Sequence, residues 1–224
     1  MQAVILAAGI GSRLGCPFPK SLSELPNGER ILGRQIRLLK EAGIRTIHVV
    51  VGFKMTLLME SFPDVFYCYN SAYYLTNTSK SLLCALRLLD DDVIWLNGDV
   101  VFDAAVLADT LAGPAGNLVC VDKKRCGVEE VKYTLDDAGR IRDLSKIVAD
   151  PQGEAIGINV IRRGSLPRFV EMLTRCDDQD YFEMGLELLI RDGVTVLPLD
   201  ISAHRCIEVD FAEDWEAAKK LFPA

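Results

Sequence analysis

Residues 2–20 read Gln-Ala-Val-Ile-Leu-Ala-Ala-Gly-Ile-Gly-Ser-Arg-Leu-Gly-Cys-Pro-Phe-Pro-Lys, and the fold class follows from how this stretch is punctuated. Gln2 to Leu6 is a short apolar run of the kind that forms a buried strand, and a glycine-rich segment, Ala8 to Lys20, follows it directly. Helical spacing comes next at Leu32, Ile36, Leu39 and Gly43. The run Ile47-His48-Val49-Val50-Val51 then reads as a second buried strand closed by Gly52. A β-α-β unit is complete by that glycine. Such units imply a mostly parallel sheet with helices on its faces and right-handed crossovers.

The pattern continues outward from this unit. A helix is expected around Lys54 to Phe62, an extended piece at Val65 to Tyr69, a polar loop from Asn70 to Thr78, a helix from Ser79 to Leu89 and a strand Val93-Ile94-Trp95-Leu96. That strand ends in Asn97-Gly98-Asp99. From Asn117 the runs 118–121, 131–135, 141–144 and 156–161 succeed one another with turns such as Asp136-Asp137-Ala138-Gly139 between them, which predicts antiparallel additions. Helices near 165–173 and 182–190, a last strand 205–209 and a helix with the stripe Phe211, Trp215, Ala218 and Phe222 complete the chain. The expectation is an α/β fold with a Rossmann-like, mixed but mostly parallel sheet flanked by helices, its small antiparallel part forming a wall.

The chain of 224 residues is read as one domain, 1–224, with no linker, repeat or low-complexity segment. Its formal charge of −7 argues against a surface that coats nucleic acid, although a local basic pocket is compatible with it. The 7 cysteines form no C-x-x-C pair and mostly fall in apolar runs, which suits buried thiols in a reducing cytoplasm. No apolar run reaches the ~20 residues that span a bilayer, and the N-terminus has no basic leader, so no membrane partner is expected. His48, within a strand, and His204, near one, are read as structural.

The position of the glycine-rich loop, just beyond a strand's carboxyl end, is where open α/β sheets bind ligands. A dinucleotide fingerprint fits poorly, because the third glycine falls one residue late and the second strand ends Gly52-Phe53-Lys54 without an acid. A Walker loop fails because Lys20-Ser21 follows Pro17-Phe18-Pro19, and prolines have no N–H to offer a phosphate. What remains is a loop closing around a base and triphosphate, with Arg13 and Lys20 as fixed positive charges and the prolines stiffening the approach to Lys20. A plain βα turn with two solvated cations would explain either cation alone, but not five coinciding positions. Asp99, after the fourth run of the sheet, has a turn that can aim its carboxylate into the same crevice. Magnesium takes one or two carboxylates plus phosphate oxygens, so one such aspartate is half of what a metal needs. Glu208-Val209-Asp210 ends the last strand with two acids on one face, although Asp210 on its own reads as a helix N-cap, and capping also suits Asp103.

With these residues in place, the segment resembles the L-A-A-G-x-G-[ST]-R-x…P-K signature of nucleoside-triphosphate-dependent nucleotidyltransferases. The resemblance implies that Leu6, Ala7, Ala8, Gly9, Gly11, Ser12 and Gly98 bind the nucleotide, that Arg13 and Lys20 are catalytic, and that Asp99 and Asp210 hold Mg²⁺, with Glu208 as a substitute for the latter. Asn70 to Leu82 is similar to the N-x-x-y-x-x-T-N-x-x-S-L run of cytidylyltransferases that act on phosphocholine and small phosphonates. Asn77 and Ser79 are then expected on cytosine or ribose, against the plainer reading of Ser79 as an N-cap. Lys146, in an element similar to G-x-I-x-x-I-x-K, would meet the acceptor phosphate as a third catalytic cation, with Lys132 as a second candidate there. Glu154 and Gly157 fit a later E-x-x-G-I run, and Asp180-Tyr181-Phe182-Glu183 resembles a Y-[YFW]-E element that walls the acceptor pocket. Lys132, Glu154, Tyr181 and Glu183 are therefore the expected acceptor contacts, with Phe182 read as core. Tyr181 and Glu183 suit a choline or amino group, whereas a carboxylate tail would call on Lys132 or Arg205.

The expected reaction is transfer of CMP from CTP to a small phosphate or phosphonate with release of pyrophosphate, dependent on Mg²⁺, in a cytoplasmic enzyme that a homodimer would also accommodate. The resemblance leaves two alternatives. One is a sugar-1-phosphate or molybdopterin nucleotidyltransferase using another nucleotide; the other is a regulatory protein that binds nucleotide without turnover.

Overall fold

A computed structural model describes residues 1–11 and 17–224. Ser12 and Arg13, two of the residues expected at the nucleotide, lie outside the described residues, as does Cys16. Strands β1 (Gln2–Ala7), β2 (Ile47–Val51), β3 (Phe66–Tyr69) and β4 (Val93–Asn97) pair in parallel, with β4 and β2 on either side of β1. Helices α1 (Ile31–Glu41), α2 (Met55–Ser61) and α3 (Thr78–Leu86) make the crossovers. Beyond β4 the order continues through β9 (Gly153–Ile161), β6 (Asn117–Asp122) and β10 (Val196–Asp200), so that the sheet runs β10-β6-β9-β4-β1-β2-β3. Strand β9 is antiparallel to both its neighbours, and β10 is parallel to β6. The hairpin β7 (Lys132–Leu135) and β8 (Ile141–Ser145) hangs from the start of β9 and supplies the expected antiparallel wall.

The period-2 geometry of β1 divides the core. Val4 and Leu6 point to one face, with Trp95, Phe169 and Phe182 under α3, α5 (Leu166–Arg175) and α6 (Phe182–Arg191). Ala3, Ile5 and Ala7 point to the other, with Leu32, Leu39, Phe102 and Leu107 under α1 and α4 (Ala104–Ala112). Phe182 stands edge-on to Trp95 at 5.6 Å and is core, as expected. His48 stacks on Phe66 at 5.2 Å, and His204 Nε2 meets Asp109 Oδ2 at 2.6 Å. The described cysteines are all free, with Cys68, Cys120 and Cys176 buried. No helix among the described residues is long and apolar enough to cross a membrane.

One small element decides the site. After β4 the chain turns through Gly98-Asp99 into β5 (Val100–Phe102), which leaves the main sheet and pairs antiparallel with β11 (Cys206–Glu208), Val100 opposite Glu208. Val209 N–H donates to the Asp99 carbonyl at 3.0 Å, extending that pairing to the two acidic positions.

Candidate active site

The carboxyl ends of β1 and β4 open into a cleft of about 490 Å³. Its floor is Leu6, Ala7, Ala8, Gly9, Gly11 and Gly98, one flank is Tyr73, Asn77 and Ser81, another part of the lining groups Lys146 with Tyr181 and Glu183, and Glu154 lines the cleft as well. Gly98 is required by close packing: a Cβ there would stand 2.5 Å from the Leu6 carbonyl, to which Gly98 N–H donates at 2.9 Å. Gly11 has φ +66°, and a Cβ on it would stand 2.7 Å from Lys20 Cγ, so the loop leaves room for the lysine stem.

Lys20 opens a 3-10 turn, Lys20–Leu22, just after Pro19. Its Nζ lies 2.5 Å from Asp210 Oδ1, 3.4 Å from Asp99 Oδ2 and 3.0 Å from the Val209 carbonyl. An ammonium has three protons to donate, and here each has an acceptor. Burial by itself would lower the Lys20 pKa, but Asp99 and Asp210 outweigh it and raise the value above the usual range. Burial pushes the Asp99 carboxyl up; Lys20 opposes that rise and Asp210 adds to it. Burial also drives Glu208 well above the ordinary carboxylate range, with Asp99 and Asp210 adding to the shift, and its Oε1 accepts from Asn97 Nδ2 at 2.9 Å. Asp210 is not the cap of α7 (Ala212–Leu221). Asp214 Oδ2 takes that work, accepting from the N–H groups of Asp210 at 3.0 Å and Phe211 at 2.7 Å, while the Asp210 carboxylate pairs with Lys20. Asp103 precedes α4 without a side-chain cap bond and pairs instead with Arg205 at 2.9 Å. Arg205 is thereby committed away from the cleft.

Lys146 Nζ stands 4.8 Å over the Tyr181 ring and 3.3 Å from Glu129 Oε2. Glu183, in the first turn of α6, is 8% exposed and its Oε2 has no hydrogen-bond partner. Burial pushes its pKa up to about 7, against a smaller opposing pull from its own backbone N–H and from Lys146. Glu154 is buried too, raised by burial and held down in part by Lys124 Nζ at 2.5 Å. Two loops join the halves of the cleft. Asn77 N–H donates to the Asp178 carbonyl at 2.8 Å, and Phe182 N–H donates to Thr78 Oγ1 at 3.1 Å.

Two placements correct the sequence reading. Helix α3 begins one residue earlier than expected, because Asn77 takes the N-cap by accepting from Thr78 N–H at 2.8 Å. Ser79 is thereby turned into the core at 0% exposure, away from the cleft, and Ser81 lines the flank in its place. Lys132 also points away: its Nζ donates to the Lys146 carbonyl at 2.8 Å and the Glu130 carbonyl at 3.2 Å, spending its charge on the hairpin's own backbone. Lys124, Glu129 and Glu130 reach the cleft from the segment after β6, where no periodic signal singled them out. Ser81 lay inside the quoted 70–82 run and could have been found by starting the helix at the first good capping residue.

Among proteins of known function, the chain is 35% identical to the CMP-5'-(3-aminopropyl)phosphonate synthase of Streptomyces rubellomurinus over 99% of its own length, but spans only 39% of that protein. It is 28% identical to the CTP:phosphoglutamine cytidylyltransferase of Campylobacter jejuni, covering 96% of this chain and 98% of the relative. The inositol-1-phosphate CTP transferase of T. maritima superposes with a TM-score of 0.83 at 16% identity, covering 98% and 95% of the two chains, a likeness of fold. The loop, the Lys20–Asp99–Asp210 cluster and the central strands all fall within or against residues 3–158, which match the MobA-like NTP transferase domain, and the chain belongs to that family of nucleotidyltransferases.

Proposed function

We propose that this protein transfers CMP from CTP to a small phosphate or phosphonate bearing an amine at its far end. The observation that carries the choice of acceptor is Glu183, a buried carboxyl of the cleft lining with an unpartnered oxygen, within the influence of Lys146, which stands over the Tyr181 ring. A buried carboxylate left without a partner is costly, and a ligand ammonium would offset that cost. The Tyr181 ring carries the Lys146 ammonium at 4.8 Å, and once Lys146 turns to the acceptor's phosphorus group the vacated face would give a ligand ammonium a cation–π attraction of about 0.5–2 kcal/mol. Both the aminopropylphosphonate and the phosphoglutamine named for the relatives join a phosphorus acid to a nitrogen-bearing tail, which supports the same reading.

An oxygen of the acceptor attacks the α-phosphorus of CTP, the bond from that phosphorus to the bridging oxygen breaks, and pyrophosphate departs with the electron pair. The acceptor is already an anion near neutral pH, so no strong base is required, and positioning and charge neutralisation carry the rate. Leu6, Ala7, Ala8, Gly9 and Gly11 bound the nucleotide, with Asn77 and Ser81 on its flank. Lys20 meets the triphosphate by exchanging one of its present acceptors for a phosphate oxygen, and Lys146 meets the acceptor's phosphorus group. Asp99 and Asp210 converge on one point, which the Lys20 ammonium marks. Two hard carboxylate donors fit Mg²⁺, which takes its other ligands from phosphate and water. A bound Mg²⁺ would neutralise developing charge on the triphosphate.

The test is pyrophosphate release with Mg²⁺, each of the four NTPs, and a panel of 2-aminoethylphosphonate, 3-aminopropylphosphonate, phosphocholine, phosphonoformate and glucose 1-phosphate. Turnover with CTP and the amine-bearing acceptors is expected. Turnover only with UTP or GTP and the sugar phosphate, or nucleotide binding without turnover on any acceptor, overturns the proposal. Lys20→Ala and Asp99→Ala should each lower turnover at least ~100-fold with the fold retained, as read by circular dichroism.

A further inference from the structure

Helix α1 buries Ile31, Leu32, Ile36, Leu38 and Leu39 against the sheet, and among them it also buries a glutamine, Gln35, which is 1% exposed. Its Nε2 donates to the Asn97 carbonyl at 2.8 Å and to the Val100 carbonyl at 2.8 Å. These two carbonyls bracket the Gly98-Asp99 turn. The amide orientation is fixed, since the flipped group would aim its oxygen at both carbonyl oxygens. Its Oε1 is buried without a partner. A residue retained for helix packing alone would be apolar here, because half of this amide is desolvated with nothing in return.

We propose that Gln35 is a positioning residue for Asp99, acting through the main chain on both sides of it. The turn is otherwise held by Gly98 N–H on the Leu6 carbonyl at 2.9 Å and by Val209 N–H on the Asp99 carbonyl at 3.0 Å. The first bond fixes the turn to β1 and the second fixes it to the segment carrying Asp210. Gln35 supplies the third direction, from the helix layer beneath, and orients the peptide groups that set where the Asp99 carboxylate points. The same turn begins with Asn97, whose side chain donates to Glu208 at 2.9 Å, so a shift at residue 97 reaches the second acidic strand as well. Misplacing a reacting or charge-stabilising group by about 1 Å costs on the order of 100-fold in rate.

The inference rests on the reading of Asp99 as a metal-holding carboxylate, and the experiment separates the two. Gln35→Met removes both donors at similar volume, and Gln35→Glu keeps the shape but faces the carbonyls with an acceptor. Ile36→Ala removes buried atoms from the same helix without removing a bond to the turn, and Asp99→Asn reports on the carboxylate itself. Each is compared for unfolding midpoint, kcat, KM for CTP, the Mg²⁺ concentration giving half-maximal rate, and Mn²⁺ binding to the protein alone by loss of the free-ion electron paramagnetic resonance signal. For the Gln35 variants we expect kcat to fall roughly 10–100-fold with KM for CTP within about 2-fold, and metal affinity to weaken by about 5-fold or more, in both metal readouts. Ile36→Ala should lose stability with metal affinity unchanged. Gln35 variants whose kcat and metal response match Ile36→Ala overturn the inference; if either folds poorly, the other decides. An Asp99→Asn variant with full activity and metal affinity overturns the reading of Asp99 instead.

Discussion

Glu183 gives a prediction with a magnitude. Its carboxyl is raised by burial from the ordinary 4.5 to about 7. Each pKa unit is worth about 1.36 kcal/mol between the two protonation states, so the ionised form destabilises the fold by about 3 kcal/mol. The sign is set by proton uptake. Between pH 4.5 and 7 the folded protein holds this proton and the unfolded chain does not, so stability falls as pH rises through that window and levels off above it. Glu183→Gln keeps the shape and removes the titration. In urea unfolding at pH 5 and pH 8, the wild type should lose up to about 3 kcal/mol more than the variant on going to the higher pH, and in thermal unfolding its midpoint should fall by roughly 2–4 °C for each such kcal/mol in a chain of this size. A pH dependence equal in the two proteins would refute the argument. The same ionisation bears on the proposed acceptor: above pH 7 the carboxylate is charged and attracts an ammonium, so affinity for 3-aminopropylphosphonate should rise with pH in the wild type. The variant isolates this from the acceptor's own ionisation, which both proteins experience equally. Lys146 and Tyr181, grouped with Glu183, and Glu154, elsewhere in the lining, are unchanged by the substitution.

Other outcomes follow from the same structure. Gly98→Ala places a methyl 2.5 Å from the Leu6 carbonyl of a central strand and should cost about 1–3 kcal/mol, measured by thermal unfolding. Ser79→Ala removes a buried hydroxyl with no partner and should leave stability within about 1 kcal/mol of wild type or above it, with nucleotide affinity by calorimetry unchanged. Asp214→Ala deletes the acceptor for two N–H groups at the start of α7 and should cost about 0.5–2 kcal/mol in urea unfolding.

Much of the fold was legible because the parallel strands are buried on both faces and read as continuous apolar runs. Ile47–Val51 was found to the residue, and Gln2–Leu6 fell short by one. Strand β10 was missed because it lies at the sheet edge, carries Pro198 and leaves its middle residues half-buried, so it shows neither a full apolar run nor clean alternation. Strand β5 is three residues long and no strand was expected there; its pairing partner is more than a hundred residues away and local pattern holds no trace of it. The same limit applies at the site. Asp99 and Asp210 were named separately, one by position and one by resemblance, whereas their convergence on Lys20 is a property of the β5–β11 pair. Ser79 was displaced by a one-residue shift in a helix start, enough to rotate a side chain about 100° around the axis. Lys132 and Lys146 looked alike in sequence, and only the hairpin register shows that one is spent on backbone carbonyls.

The short β5–β11 pairing also has a consequence for folding. It joins Asn97 to Glu208, 111 residues apart, and Lys20 to Asp210, 190 apart, so the charge cluster is among the longest-range contacts in the chain. Contacts of such separation form late, after local helices and neighbouring strands have closed the intervening loops. Without residues 206–210, Lys20 and Asp99 would lack Asp210, the third member of the cluster. The Lys20–Asp210 ion pair is therefore expected to form late, and catalytic competence in a refolding experiment should lag behind recovery of helical signal.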